Sequence, residues 1–212
     1  MNFAACAEIE LKPECSTWYR AVAPQFLPAG LETKHTALHP SRFNPGSNEL
    51  EILYLATNHQ VALFEVGALF GSPLTGNLIP NPAGAWTVLN IEVSLRAVTD
   101  LTDSNTLSAL GTSAQEVTGA WRAHSIGIVQ TGAIAPTQEL AVRLFKSKRC
   151  EAIKSFSAKL TSSPTLAIFP QTSRKGKFHS LPIHRRKWKT AHFSTAQIKK
   201  RRTLRPAIVF ES

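Results

Sequence analysis

No uninterrupted apolar run in this sequence approaches the roughly 20 residues that span a bilayer, so a membrane-embedded chain is not expected. Residues Met1 to Pro13 carry Glu8, Glu10 and Lys12 and lack a basic stretch followed by sustained apolar residues. No secretory leader is therefore expected, and the cytoplasm is the default location. Cysteine is scarce: Cys6, Cys15 and Cys150 are odd in number and far apart, which argues against a disulfide framework and a zinc site and for reduced thiols. The seven histidines, among them His35, His39 and His59, show no ligand spacing, and no metal is expected. A Gly-x-Gly-x-x-Gly fingerprint and a Walker sequence are both missing, which excludes the ordinary Rossmann and P-loop modes of nucleotide binding. No Ser/His/Asp or Cys/His arrangement can be read from residue order either.

What the chain does have is an uneven charge. The net charge of +10 resembles a nucleic-acid signature until it is divided along the sequence. Residues 1–173 hold 12 Lys and Arg against 13 Asp and Glu, whereas residues 174–212 hold 12 against one. The basic character thus belongs to a C-terminal extension, where hydrophobic density falls and Arg185-Arg186-Lys187 and Lys199-Lys200-Arg201-Arg202 form two clusters. The remainder, 43% hydrophobic over the whole of 212 residues, is long enough for one full domain.

Within that remainder, strand and helix signals interleave. Trp18-Tyr19-Arg20-Ala21-Val22 is rich in strand formers and runs into Pro24, Pro28 and Gly30. Ser41-Arg42-Phe43-Asn44-Pro45-Gly46 dictates irregular backbone before Ile52-Leu53-Tyr54-Leu55-Ala56, a buried strand. Thr57-Asn58-His59-Gln60 matches a capping box with Thr57 as the cap, opening a helix whose apolar positions Val61, Leu63, Phe64, Ala68 and Leu69 recur at three and four until Gly71 and Pro73. Val88 to Leu95 alternates in the period of a strand with one apolar face. Ser113-Ala114-Gln115-Glu116 caps a short helix through Trp121, and Pro136-Thr137-Gln138-Glu139 opens a clear amphipathic helix through Phe145 to Lys146, Lys148 and Arg149. Leu166 to Phe169 closes the series as a strand. The order predicts an α+β fold around a single mixed sheet.

Arg42-Phe43-Asn44-Pro45-Gly46, then Leu53-Tyr54-Leu55-Ala56, then Ala62-Leu63-Phe64-Glu65-Val66 resembles, in this order, the RES domain, a family named for an Arg, a Glu and a Ser. Tyr19-Arg20 resembles the arginine that opens the family's domain. Ser157-Ala158-Lys159 with Leu166-Ala167-Ile168-Phe169-Pro170 resembles its closing serine motif and last strand. The resemblance covers residues 16–172, with 173–212 as the basic extension. Two positions depart from it: Phe156 stands where the family has Pro before the serine, and Ser41 where it has Gly before the arginine.

The resemblance implies a domain like the ADP-ribosyltransferases that acts on NAD+ as a substrate rather than a resident cofactor. The bond at stake joins nicotinamide to ribose C1′. Its rupture leaves positive charge on the ribose, which a carboxylate stabilises, and Glu65 is the residue the resemblance places there. Arg20 and Arg42 are placed to bind pyrophosphate or orient ribose through their planar forks. Tyr54 is placed to stack on nicotinamide and orient it, and Ser157 to hydrogen-bond the dinucleotide. Read without the resemblance, Arg20 and Arg42 are surface or loop-bracing residues, Tyr54 a core aromatic and Ser157 a turn serine. Glu65, set among Val61, Phe64 and Leu69, is expected as a buried carboxylate needing a partner or a function.

Three classes of function stay open at this level. The first is an NAD+-consuming toxin, hydrolytic, phosphorolytic or protein ADP-ribosylating, restrained by a helix-turn-helix (Xre-type) antitoxin as in the family's two-component modules. The second is a nucleic-acid binder using 174–205, with Trp188 and Phe193 for stacking. The third is a RES relative that only binds a partner.

Overall fold

The computed structural model describes residues 1–72, 76–122 and 134–172. The basic extension and its proposed nucleic-acid segment lie outside the described residues. Seven strands are described: β1 (Lys12–Val22), β2 (Leu53–Ala56), β3 (Leu69–Ser72), β4 (Asn77–Pro80), β5 (Thr87–Asp100), β6 (Ala152–Phe156) and β7 (Pro164–Ile168). Four helices accompany them: α1 (His59–Glu65), α2 (Ser104–Ala109), α3 (Ala114–Thr118) and α4 (Pro136–Lys146). Short 3-10 turns occupy Phe3–Ala7, Pro24–Ala29 and Lys34–Leu38.

The sheet is mixed, as the interleaved signals predict, but it also closes on itself. Its strands run in the order β1-β2-β7-β6-β5, and β5 returns to pair with β1. Every pairing is antiparallel except β5 with β6, where Val98, Thr99 and Asp100 lie beside Ala152, Ile153 and Lys154. Because side chains alternate across a strand, each barrel strand sends one set inward. Trp18, Leu55, Val93, Ala152 and Leu166, one from each strand, meet in a single buried cluster. The outer face is covered by α2, α3, α4 and the Phe3–Ala7 turn through Leu107, Val117, Leu140, Leu144 and Cys6, packed on Ile153, Ala167 and Phe169. A separate hairpin of β3 and β4 stands outside the barrel.

Several sequence expectations need correction. The first strand begins at Lys12, six residues before Trp18, and the alternating strand runs to Asp100 rather than Leu95. The cap of α1 is Asn58, not Thr57: its side chain accepts the Val61 amide at 2.9 Å. The same helix stops at Glu65 instead of running to Leu69. Gly67 adopts φ +73, its N–H donates to Phe64 O (3.0 Å), and Ala68 N–H donates to Leu63 O (2.8 Å). Those two bonds are a Schellman closure, which turns Ala68 and Leu69 away towards β3. Ser113 caps α3 as expected, accepting the Glu116 amide, but that helix ends at Thr118 because Gly119 is extended.

Candidate functional site

Ser41 to Asn44 form a tight turn whose corners are paired: Ser41 N–H donates to Asn44 O (2.8 Å) and Asn44 N–H to Ser41 O (3.2 Å). Arg42 and Phe43 occupy its tip. Phe43 is buried in the helix-covered core. Asn44 is wholly buried and its amide is fully used, donating to Thr36 O (2.7 Å) and Leu50 O (2.8 Å) and accepting from Gly46 N–H (2.8 Å). Gly46 sits at φ +77, where a Cβ would lie 3.0 Å from Pro40 N, so this backbone favours glycine there.

Tyr54 meets the turn from β2. Its hydroxyl lies 2.7 Å from Ser41 Oγ and accepts the Phe43 amide at 3.3 Å. Burial pushes the phenol up to about 12 against the opposing pull of those two bonds and of Arg42. Tyr54 is therefore a neutral, oriented hydroxyl across the physiological range.

Glu65 is exposed, which corrects the expectation of a buried carboxylate. The early Schellman closure explains this, because it leaves Glu65 as the last residue of α1, at the rim rather than within an apolar face. Ser157 follows directly on β6 and is buried, with its hydroxyl donating to Glu65 Oε1 at 2.5 Å. Ser157 Oγ in turn accepts the amides of Lys159 (3.1 Å) and Leu160 (3.0 Å), which fixes the hydroxyl's orientation. A carboxylate at a helix C-terminus faces the negative end of the helix dipole. Here the Lys159 ammonium sits on that end, donating to Phe64 O (2.8 Å) and Glu65 O (2.9 Å).

Arg42 joins the two halves electrostatically. Burial lowers its pKa, while the charge of Glu65, followed by that of Tyr54, acts in the opposite direction. Arg42 Nε is buried without a hydrogen-bond partner. Arg20, on β1 beside Leu89 of β5, is similar: burial alone lowers its pKa, and its Nη1 is buried and unmatched. Buried guanidinium N–H groups without acceptors are costly, and a bound anion would satisfy them. The structure thus brings Arg42, Tyr54, Glu65 and Ser157 into one linked arrangement, whereas Arg20 makes no hydrogen bond to any of these four described residues.

Sequence reasoning missed three participants. Lys159 was quoted only as part of the serine motif, Asn44 only as a turn former, and Gln138 only as a helix opener. Next to α1, the Tyr19 and His59 rings lie 4.2 Å apart between centroids. Burial lowers the pKa of His59, opposed by a hydrogen bond with the Asn90 side chain. A cavity of about 180 Å³ between α3 and the start of α4 shares no lining residue with the expected site. Among the described residues no cluster of His, Cys, Asp or Glu could hold a metal ion, and no helix is long and apolar enough to cross a membrane.

The profile of the RES domain family matches residues 17–190, reaching beyond the segment 16–172 and into the basic extension. No match was found among curated proteins. Among solved structures, the chain is similar to one in the crystal structure of the M. tuberculosis MbcT-MbcA toxin-antitoxin complex, with a TM-score of 0.57 and 16% sequence identity. That likeness covers 82% of this chain and 85% of the other, and it concerns the fold.

Proposed function

Because the chain belongs to the RES domain family, we propose that it is an enzyme of the ADP-ribosyltransferase-like kind that consumes NAD+ as the toxin of a toxin-antitoxin pair. The observation that carries this reading is the solvent-facing Glu65 carboxylate, held by Ser157 and lying within the field of an Arg42 whose Nε lacks an acceptor. Arg42 and Arg20 take the pyrophosphate, whose oxygens satisfy their buried N–H groups. Tyr54 offers the nicotinamide a ring and a neutral hydroxyl.

The nicotinamide–C1′ bond breaks with its electron pair leaving on the nicotinamide nitrogen. Positive charge develops on the ribose, and Glu65 stabilises it. Ser157 occupies Oε1, which leaves Oε2 for a ribose hydroxyl. Water or phosphate then bonds to C1′ and releases a proton. A toxin of this kind requires restraint, and the similarity of the fold to a chain of a toxin-antitoxin complex supports an antitoxin partner, which we take to carry a helix-turn-helix domain. The chain acts in the cytoplasm on this reading, without a metal or resident cofactor.

The test is NAD+ loss by the purified protein, with and without phosphate, with the products identified. Activity abolished in Glu65→Ala and Arg42→Ala establishes the reading, and the product separates hydrolysis from phosphorolysis. Loss of NAD+ matched by ADP-ribose on protein, rather than free or as its phosphate ester, replaces it by transfer to a protein acceptor.

A further inference from the structure

The turn that carries Arg42 is gripped from a distant part of the chain. Gln138, in the first turn of α4, is only 3% exposed, and each end of its amide is used. Oε1 accepts the Ala135 amide (3.0 Å), closing the N-terminus of α4 on itself. Nε2 donates to Ser41 O (2.8 Å) and Asn44 O (3.0 Å), the two corner carbonyls of the turn. These are the same carbonyls that accept the turn's own amides. One side-chain nitrogen therefore binds both ends of the turn across a sequence separation of 97 and 94 residues.

We propose that Gln138 is a positioning residue for Arg42 and Tyr54, a clamp that holds the Ser41–Asn44 turn closed so that the arginine and the phenol point at one ligand. The claim rests on the reading that Arg42 and Tyr54 bind NAD+, and adds a residue that touches neither ligand nor reacting atoms. Only a primary amide fits this place, since it must accept one backbone N–H and donate twice. A carboxylate would set negative oxygens against two carbonyls, and an apolar side chain would leave the buried Ala135 N–H without its acceptor and the two carbonyls with only the turn's own amides. Ser41 extends the clamp: its carbonyl is held by Gln138 and its hydroxyl by Tyr54. The clamp thus reaches Tyr54 through the residue that stands where the family has Gly. Asn44 grips the same turn from its other side, so two buried amides share the task, and a fully satisfied network of this kind fixes a single geometry.

The experiment uses Gln138→Met, with Gln138→Glu as the second variant because it keeps the acceptor for Ala135 and puts a repelling oxygen where the donors stood. The first arm needs no ligand: amide hydrogen exchange followed by NMR. Exchange at Asn44 and Ser41 is expected to quicken about tenfold, as for residues in one hydrogen-bond network, while Leu55 and Leu166 in the barrel keep their rates. Unchanged exchange at the turn overturns the clamp. Equal quickening in the barrel overturns it too, because Gln138 would then serve general stability.

The second arm is a cycle of affinities for NAD+ and ADP-ribose by calorimetry. Gln138→Met should weaken binding about tenfold in the native background but less than about twofold beside Arg42→Ala, since its effect passes through Arg42. Equal losses in both backgrounds overturn the positioning role. If the native protein binds neither ligand while the turn amides respond as stated, the clamp on the turn stands, its positioning role for a dinucleotide falls, and so does the functional reading on which that role rests.

Discussion

The turn at Ser41–Asn44 and the end of α1 at Glu65 are the two sides of one candidate site, built on opposite plans. The turn is over-determined: its backbone pairs with itself, two buried amides bind it, Phe43 anchors it and Tyr54 rests on it. The helix end is under-determined. Its carboxylate is exposed and is directed by the Ser157 hydroxyl, with Lys159 tying down the backbone beneath it. On the proposed function, the difference suits what each side would handle. A dinucleotide's pyrophosphate presents fixed charge that rewards a rigid fork. A carboxylate that must stay charged beside a developing cation is better left in contact with water, because burial would neutralise it.

That contrast can be broken from each side. The largest effect should come from Glu65→Gln, with NAD+ consumption falling roughly a thousandfold, the scale of a lost charge-stabilising group, while the urea midpoint barely moves. A midpoint shift as large as that of a core mutant would place Glu65 among the structural residues after all. Asn44→Ala should do the reverse in kind, costing about 2 kcal/mol of unfolding free energy as the buried Leu50 carbonyl and the Gly46 amide lose their partner and the Thr36 carbonyl keeps only the His39 amide. Chemical denaturation would show it, and a neutral result would mean that the turn is not held as described.

Lys159→Met lies between these. We expect kcat to fall about fivefold with KM little changed and with Lys159→Arg restoring most of it, because the cation on the helix end aims Glu65 without touching the dinucleotide. A change confined to KM would contradict that role.

The smallest effect concerns a pair remote from both sides. Glu14 is pushed up by burial but pulled further down by the Ser16 hydroxyl and by Lys154, so its folded pKa lies below its usual value. A depressed folded pKa contributes stability that is present above the unfolded value, near 4.5, and is lost as the pH falls through the folded value. Glu14→Gln should accordingly be less stable than the native protein at neutral pH, with the gap narrowing below about pH 4. A gap independent of pH would show that the ion pair makes no contribution.

The helix through Phe145, the strand into Ala56 and the strand at Leu166 were legible because periodicity is local and each sits on one apolar face. Strand β6 was not. Ala152-Ile153-Lys154-Ser155-Phe156 is short, and Lys154 interrupts its apolar run; the partner that accommodates the lysine, Glu14, is 140 residues away. Barrel closure is equally non-local, since it depends on the parallel pairing of β5 with β6. At the candidate site, the ordered motif named Arg42, Tyr54, Glu65 and Ser157, which the structure brings together, whereas the exposure of Glu65 hung on one glycine. Gly67 could be read as an ordinary helix position until its left-handed φ was seen to end α1 four residues before the apolar repeat does. Gln138 was invisible as a clamp because nothing local to α4 names the turn that it holds.

The closed barrel bears on recognition as well as on stability. A sheet with open sides can be read through its main chain, by a visiting strand that borrows the unpaired amides and carbonyls of an edge. Within this barrel each strand has two neighbours, so that borrowing is denied along the paired stretches of β2, β6 and β7. The ring is thin where β1 meets β2 only at Tyr19 and Ala56 and where β5 meets β6 only over Val98–Asp100; elsewhere on the barrel a partner's selectivity must be written in side chains, turns and helix ends.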